Sequence, residues 1–281
     1  MEASSDRHPL LIALLERAAA GPEPAEPRLA ALRRSALAGE GELLRLSPRR
    51  AVLRLRLEGN DWLLKCDAPQ RPLETLRRML RTGPAQREAR LHARLAPRLG
   101  WTGPALAVDQ KEGCSFFARP WQRGLLLLEL LPEAAERAGS GLAMLHTLGF
   151  HDPDLTPGDL LLREDGVLLP LDLGHAQLSV RKPTAEPERQ ADLSRLLAGL
   201  PETRARSSAE LVWRGYAEVL PPPCSLADLK LGARMLRSTL LHRHSRRCLR
   251  ECRDFELSSE GCARRLTSLP ALPEHTHWPG G

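Results

Sequence analysis

Lysine is scarce in this chain: of 41 basic residues only Lys65, Lys111, Lys182 and Lys230 are lysine, and asparagine, isoleucine and tyrosine occur once each, as Asn60, Ile12 and Tyr216. Residues with AT-rich codons are nearly missing, which leads us to expect a GC-rich bacterial genome. Against that background a lysine where arginine is the default is informative, because the compact ammonium and the guanidinium are not interchangeable at a tight phosphate site. Lys65 is the first such candidate. Aromatic residues are 4% of the chain, too few for the stacking platform of a nucleic-acid binder, so no nucleic acid is expected as a partner. Long apolar runs are missing too. Leu125 to Leu131 is interrupted by Glu129 and is far too short to span a bilayer. Leu10 to Leu15 is apolar, but Glu2, Asp6 and Arg7 precede it and Glu16 and Arg17 follow, which is not the pattern of a signal peptide. A cytoplasmic protein is expected. No Cys-x-x-Cys pair occurs: Cys66, Cys114 and Cys224 are isolated, and Cys248, Cys252 and Cys262 are widely spaced. That argues against a structural zinc site and a disulfide framework, and for buried, reduced thiols.

The chain has 281 residues, 42% hydrophobic and 27% charged, enough for one large domain or two lobes with a well-buried core. Leucines at helical spacing run to about residue 38, broken by the proline-rich stretch Gly21 to Pro27. From Glu42 the period changes to two. Leu44 and Leu46, then Val52 to Leu57, then Trp62 to Cys66 read as strands, separated by Ser47-Pro48-Arg49-Arg50 and by a turn at Glu58 to Asp61. Two helices follow, one on Leu73, Leu76 and Leu80, the second beginning near Pro84. Strands are expected at Ala105 to Val108 and Cys114 to Ala118, and a helix over Pro132 to Leu148. Strands first and helices later make an α+β chain in two lobes with a boundary near Pro120 to Gly124. The expected divisions are a helical extension over 1–40, a small antiparallel-sheet lobe over 41–120, a mostly helical lobe over 121–255 and a tail over 256–281.

On the second helix Glu88 shares a stripe with Leu91, Leu95 and Leu99. A carboxylate on a buried face needs a cation or hydrogen-bond donors, although a helix-edge glutamate paired with a nearby arginine would look the same in sequence. The densest polar pattern lies further on. Gly149-Phe150-His151-Asp152-Pro153-Asp154 ends a helix and opens a loop that carries Asp159, and after Val167 to Leu171 comes Asp172-Leu173-Gly174.

In order and spacing these residues resemble the protein-kinase-like superfamily, whose catalytic loop reads His-x-Asp-Leu-x-x-x-Asn and is followed across a hairpin by Asp-Phe-Gly. The resemblance covers about residues 42 to 200. It is closest to the bacterial lipopolysaccharide kinases, including the Kdo and heptose kinases, because no long activation segment follows the hairpin. It implies a two-lobe fold and phosphoryl transfer from ATP with Mg²⁺, a reaction that depends on positioning and charge neutralisation. By the same resemblance Lys65 would hold the nucleotide phosphates and Glu88 would fix Lys65. Asp154 would take the acceptor proton, and Asp159 and Asp172 would bind the metal. A sugar hydroxyl of lipopolysaccharide or a similar glycan is the implied acceptor.

Three positions depart from the family pattern. Asp152 stands where the family has histidine, with His151 one place early. Asp159 stands for asparagine, and the turn Ser47-Pro48-Arg49-Arg50 has no glycine with which to cradle phosphate. An inactive pseudokinase that binds nucleotide or a partner is therefore an alternative. The helix expected at the C-terminal side is opened by Asp192 and runs over Leu193 to Leu200. Beyond it Arg234, Arg237, Arg243, Arg246, Arg247, Arg250 and Arg253, with His242 and His244, read either as a solvated face or as peripheral contact with an anionic membrane, which would place the protein at the inner membrane.

Overall fold

The computed structural model describes residues 9–19, 21–47, 49–68, 83–110, 114–129, 132–179, 183–248, 255–260 and 263–268. The helix expected on Leu73 to Leu80 lies outside them. The chain divides into two compact units between Gln122 and Arg123.

The first unit opens with α1 (Pro9–Ala19) and α2 (Pro27–Ala38). Glu26 starts α2 by accepting the Leu29 N–H at 2.6 Å, and Gly39, at φ 81°, stops it in the left-handed conformation that favours glycine. Strands β1 (Glu42–Ser47), β2 (Arg50–Leu57), β3 (Asn60–Asp67), β4 (Leu106–Asp109) and β5 (Ser115–Pro120) form one antiparallel sheet in the order β1-β2-β3-β5-β4. Helix α3 (Pro84–Leu99) lies in the chain between β3 and β4.

Alternation along these strands sorts the sheet into two faces. Ala51, Leu53 and Leu55 on β2, Trp62, Leu64 and Cys66 on β3, and Phe116 and Ala118 on β5 share one core with Leu11, Leu14, Leu15, Leu29 and Leu32 of α1 and α2. Full burial of one such leucine is worth about 1.5–3 kcal/mol, so the two helices are fixed to the back of the sheet. Arg50, Val52 and Arg54, their β3 partners Asp67, Lys65 and Leu63, and the β5 partners Ser115, Phe117 and Arg119 are left on the front. Cys66 and Cys114 are buried, and burial pushes the Cys66 thiol up.

The second unit is mostly helical: α4 (Pro132–Thr147), α5 (Glu186–Gly199), α6 (Glu202–Val219) and α7 (Leu226–Cys248). Its short strands are β6 (Leu125–Leu126), β7 (Phe150–His151), β8 (Leu160–Leu162), β9 (Leu168–Pro170) and β10 (Gln177–Leu178). They form a β6-β8-β9 sheet and a β7-β10 pair. A last hairpin pairs β11 (Phe255–Glu260) with β12 (Ala263–Ser268), where the sequence suggests only a tail. The α+β architecture with a small antiparallel sheet is the expected one.

Two expectations are corrected. Helix α5 begins at Glu186, with Pro187 in its first turn, so Asp192 lies inside the helix and does not open it. Arg237 is not available for a membrane surface. Its guanidinium donates to the carbonyls of Leu197, Ala198 and Leu200 at 2.8–3.3 Å and closes the C-terminal end of α5. The side chains of Arg243, His244, Arg246 and Arg247, and Arg250 and Arg253 altogether, lie outside the described residues.

Helices α4 and α6 meet through glycine. A Cβ on Gly139 would stand 2.0 Å from the Val212 carbonyl oxygen, and one on Gly215 would stand 2.0 Å from that of Glu136. Backbone obstacles cannot swing aside as a side-chain tip can. Gly215→Ala is therefore expected to cost about 1–3 kcal/mol by overpacking, even though alanine ordinarily favours a helix by about 1 kcal/mol over glycine. A urea melt checks this: the midpoint is expected to fall, and an unchanged midpoint would show that the crossing is looser than described.

Candidate active site

In the sheet unit, the front face carries a buried ion pair. Lys65 Nζ donates to Glu88 Oε1 at 2.5 Å, with the two side chains only 9% and 7% exposed, and the ammonium lies 5.5 Å from the Phe117 ring centroid. The β3 pleat turns Lys65 to the front, and α3 presents Glu88 on the face it shares with buried Leu91, Leu95 and Leu99. The helix itself is anchored from β4. Asp109 accepts the Ala85 and Gln86 N–H groups at 3.3 and 3.0 Å, and Gly83 leaves room for that carboxylate. One turn beyond Glu88, His92 stacks on Trp101 at 4.2 Å and is held neutral, its pKa lowered to about 4 by burial and by the charge of Arg119. The sequence singles out Lys65 and Glu88, and the structure brings them together.

In the helical unit, a turn after α4 closes on Gly149, φ 82°, and the chain runs through β7 into the loop that bears Asp152, Asp154 and Asp159. The Asp154 N–H donates to Asp152 Oδ1 at 2.9 Å, a local turn that leaves the Asp154 side chain exposed, 3.7 Å from His175 Nδ1. Asp159 Oδ2 accepts from the Thr156 hydroxyl at 2.6 Å, and its carbonyl accepts the Leu171 N–H at 2.6 Å. That last bond closes the β8–β9 hairpin and brings Asp159 beside the strand end that leads into Asp172. Asp172 Oδ1 accepts the Gly174 N–H at 3.0 Å. Among the described residues no three His, Cys, Asp or Glu side chains gather as a metal cage.

This loop is fixed by a residue the sequence reading places but does not recognise. Asp192, fully buried on α5, accepts from His151 Nδ1 at 3.1 Å, from His146 Nε2 at 3.3 Å, from the Asp152 N–H at 3.3 Å and from Arg195 at 3.2 Å. Burial alone would push its carboxyl up, but the two imidazole hydrogen bonds outweigh burial and hold it below the usual range. His151 is raised, first by its bond to Asp192 and against burial. His146 is lowered by burial and stays neutral, so its Nε2–H donates to Asp192 and Nδ1 accepts from the Tyr216 hydroxyl at 2.8 Å. Burial pushes Tyr216 up to about 12, and Arg189 reaches its oxygen at 3.5 Å. His151 and the Asp152 backbone are thus both tied to α5 through one carboxylate. The signal was available. Asp192 shares a helical stripe with Leu193, Leu196 and Leu197, as Glu88 does with its leucines.

No protein-family model matches the sequence, and no curated protein matches it. Among solved structures, it is similar to WaaP in complex with acyl carrier protein (19% identity, 74% of this chain and 88% of that one, TM-score 0.43). It is also similar to WbdD at 2.2 Å resolution (15% identity, 70% of this chain and 50% of that one, TM-score 0.44). WbdD co-crystallised with the kinase inhibitor LY294002 aligns over 54% of this chain and 36% of that one at 15% identity, with a TM-score of 0.36. At this level of similarity, function has to be read from the chain's own residues.

Asp152 gives the loop a pH dependence. It is buried, and its pKa is raised from 3.8 to about 6, chiefly by burial and then by the charges of Asp159, Asp192 and Asp172. A carboxyl raised on folding adds its stability below its unfolded pKa and loses it as pH climbs through the folded value. Asp152→Asn, whose amide oxygen can still accept from Asp154 N–H, is expected to raise the melting temperature at pH 8 and leave it nearly unchanged at pH 4. Thermal melts across pH 4–8 check this, and an equal shift at both ends would contradict it.

Proposed function

We propose that the chain is an ATP-dependent phosphotransferase acting on a sugar hydroxyl of lipopolysaccharide or a related glycan. The observation that carries the reading is the Lys65–Glu88 pair. A buried ion pair is a poor source of stability, and here it holds an ammonium in fixed orientation within a recess of the sheet's front face, which suits it to phosphate. In the sheet unit, Lys65 would hold the α and β phosphates and Glu88 would position it. In the helical unit, exposed Asp154 would accept the hydroxyl proton as the sugar oxygen bonds to the γ phosphorus and the bond to the bridging oxygen of ADP breaks. Its exposure lets it return that proton to water.

The donor set fits Mg²⁺. Asp159 and Asp172 offer oxygen alone, and this ion is ordinarily held by one or two carboxylates with phosphate and water completing its shell. Bound there, the ion would supply neutralisation of the phosphate charge. Only His175 to Ala185 separate the Asp172-Leu173-Gly174 turn from α5, and β10 occupies part of that stretch. So short a connection leaves little room for a peptide-docking segment and supports a glycan acceptor. No helix among the described residues is long and apolar enough to cross a membrane. Peripheral contact with an anionic surface would fall on α7, where Leu231, Met235, Leu240 and Leu241 stand exposed near Lys230 and Arg234. A non-catalytic, nucleotide-binding regulator is the second reading, favoured by the glycine-free turn at Ser47 to Arg50 and by Asp152.

Nucleotide affinity and turnover separate the two. Lys65→Met is expected to weaken ATP binding at least tenfold, and chelation of Mg²⁺ to nearly abolish it, because carboxylates crowd the loop. Asp172→Asn should remove the metal-dependent part of binding, whereas Asp159→Asn should preserve or improve turnover. Asp154→Asn should spare binding and remove turnover. ATP binding that ignores both the metal and Asp172 would rule out the phosphotransferase reading in favour of the regulator.

A further inference from the structure

The proposed function leaves a physical gap: something must hold the outer phosphates where no glycine turn exists. On the front face of the sheet, Arg50, Asp67, Ser115 and Asp109 stand in register across β2, β3, β5 and β4. The adjacent row is Val52, Lys65 and Phe117. Arg50 and Lys65 are therefore diagonal neighbours on one face, and diagonal neighbours lie about 7–8 Å apart. A di- or triphosphate spans such a gap. Both side chains line the same recess, together with Asp67, Glu88, Ser115 and Phe117.

Arg50 is oriented as Lys65 is. Its Nε and Nη2 donate to Asp67 Oδ2 at 3.1 and 3.0 Å, which fixes the guanidinium plane, and the Ser47 hydroxyl accepts the Arg50 N–H at 3.1 Å, which fixes the turn that presents it. Each cation faces a carboxylate, Asp67 for Arg50 and Glu88 for Lys65, which offsets the like-charge penalty of holding them close before an anion arrives. Two other possible anion holders are committed elsewhere. The first N–H groups of α3 donate to Asp109, and Arg54 is paired with Asp61 at 2.6 Å and stacked over Trp121 at 4.9 Å.

We propose that Arg50, tethered by Asp67, is a phosphate ligand of the nucleoside triphosphate and does with a side chain what a glycine-rich turn does with backbone N–H groups. The inference rests on the phosphotransferase reading and adds a residue to its site. A guanidinium suits the task because its planar donors match phosphate oxygens in pairs.

The test is calorimetric titration of the full chain with Mg²⁺·ATP and, separately, with adenosine, which lacks phosphate. Native chain, Arg50→Gln, Arg50→Lys and, as a control on the same strand, Arg56→Gln are compared. Arg50→Gln is expected to lose at least tenfold in ATP affinity and less than twofold in adenosine affinity. Arg50→Lys keeps a charge for Asp67 and should recover the fold and only part of the ATP affinity, while Arg56→Gln should match the native chain. ATP affinity kept within twofold in both Arg50 variants would overturn the inference while leaving the nucleotide reading intact. Equal losses for ATP and adenosine in both Arg50 variants would also overturn it. A native chain that binds no ATP would overturn both.

Discussion

A charged pair buried in a recess on the front of the sheet is the constraint on which the first unit is built. Removing Lys65 and Glu88 from water costs several kcal/mol per ion, and their attraction offsets this only when the geometry is tight. At 2.5 Å the geometry is tight. To keep it so, α3 has to be held in place along its length. Asp109 fixes its first turn, the leucine stripe seats its middle, and the His92–Trp101 stack supports the far side. The leucines of α1 and α2 cover the opposite face of the sheet, so the strand bearing Lys65 is packed from behind and its front is left for polar work.

Asp192 plays the corresponding part in the helical unit. One buried carboxylate collects two imidazoles, a backbone N–H and an arginine, and three of these four donors belong to the loop or to the helix that leads into it. The loop that carries Asp154 is thus fixed from inside, while the Asp154 side chain itself is left in solvent. The support is internal and the carboxylate that would do the proposed chemistry is free to meet an acceptor from solvent.

Much of this was legible in the sequence, for physical reasons that can be named. Lys65 stands out because lysine is rare here, and Glu88 because a carboxylate on a leucine stripe has to be compensated. The hairpin between Asp159 and Asp172 follows from two leucine-rich runs on either side of Arg163-Glu164-Asp165-Gly166, a sequence of turn-forming residues. Asp192 was hidden by a competing rule. Aspartate is among the best helix-capping residues, so it reads as the start of α5, although Pro187 is the better start signal and places Asp192 in the second turn. Arg237 was hidden because a basic residue in a basic helix looks solvated, and only tertiary structure shows that it closes the end of α5. The place of Arg50 beside Lys65 depends on strand register across β2, β3 and β5, which periodicity alone does not supply.

The scarcity of lysine also provides the most direct measurement. With selectively ¹³C-labelled lysine the chain gives only four side-chain ε-methylene signals, one for each of Lys65, Lys111, Lys182 and Lys230, and the signal missing in Lys65→Met identifies its own. On titration with Mg²⁺·ATP the account predicts that the Lys65 signal moves, saturably, while those of Lys111, Lys182 and Lys230 stay nearly still. Four unmoved signals, or a shift at another lysine with Lys65 unchanged, would contradict the claim that this buried ammonium is a phosphate site.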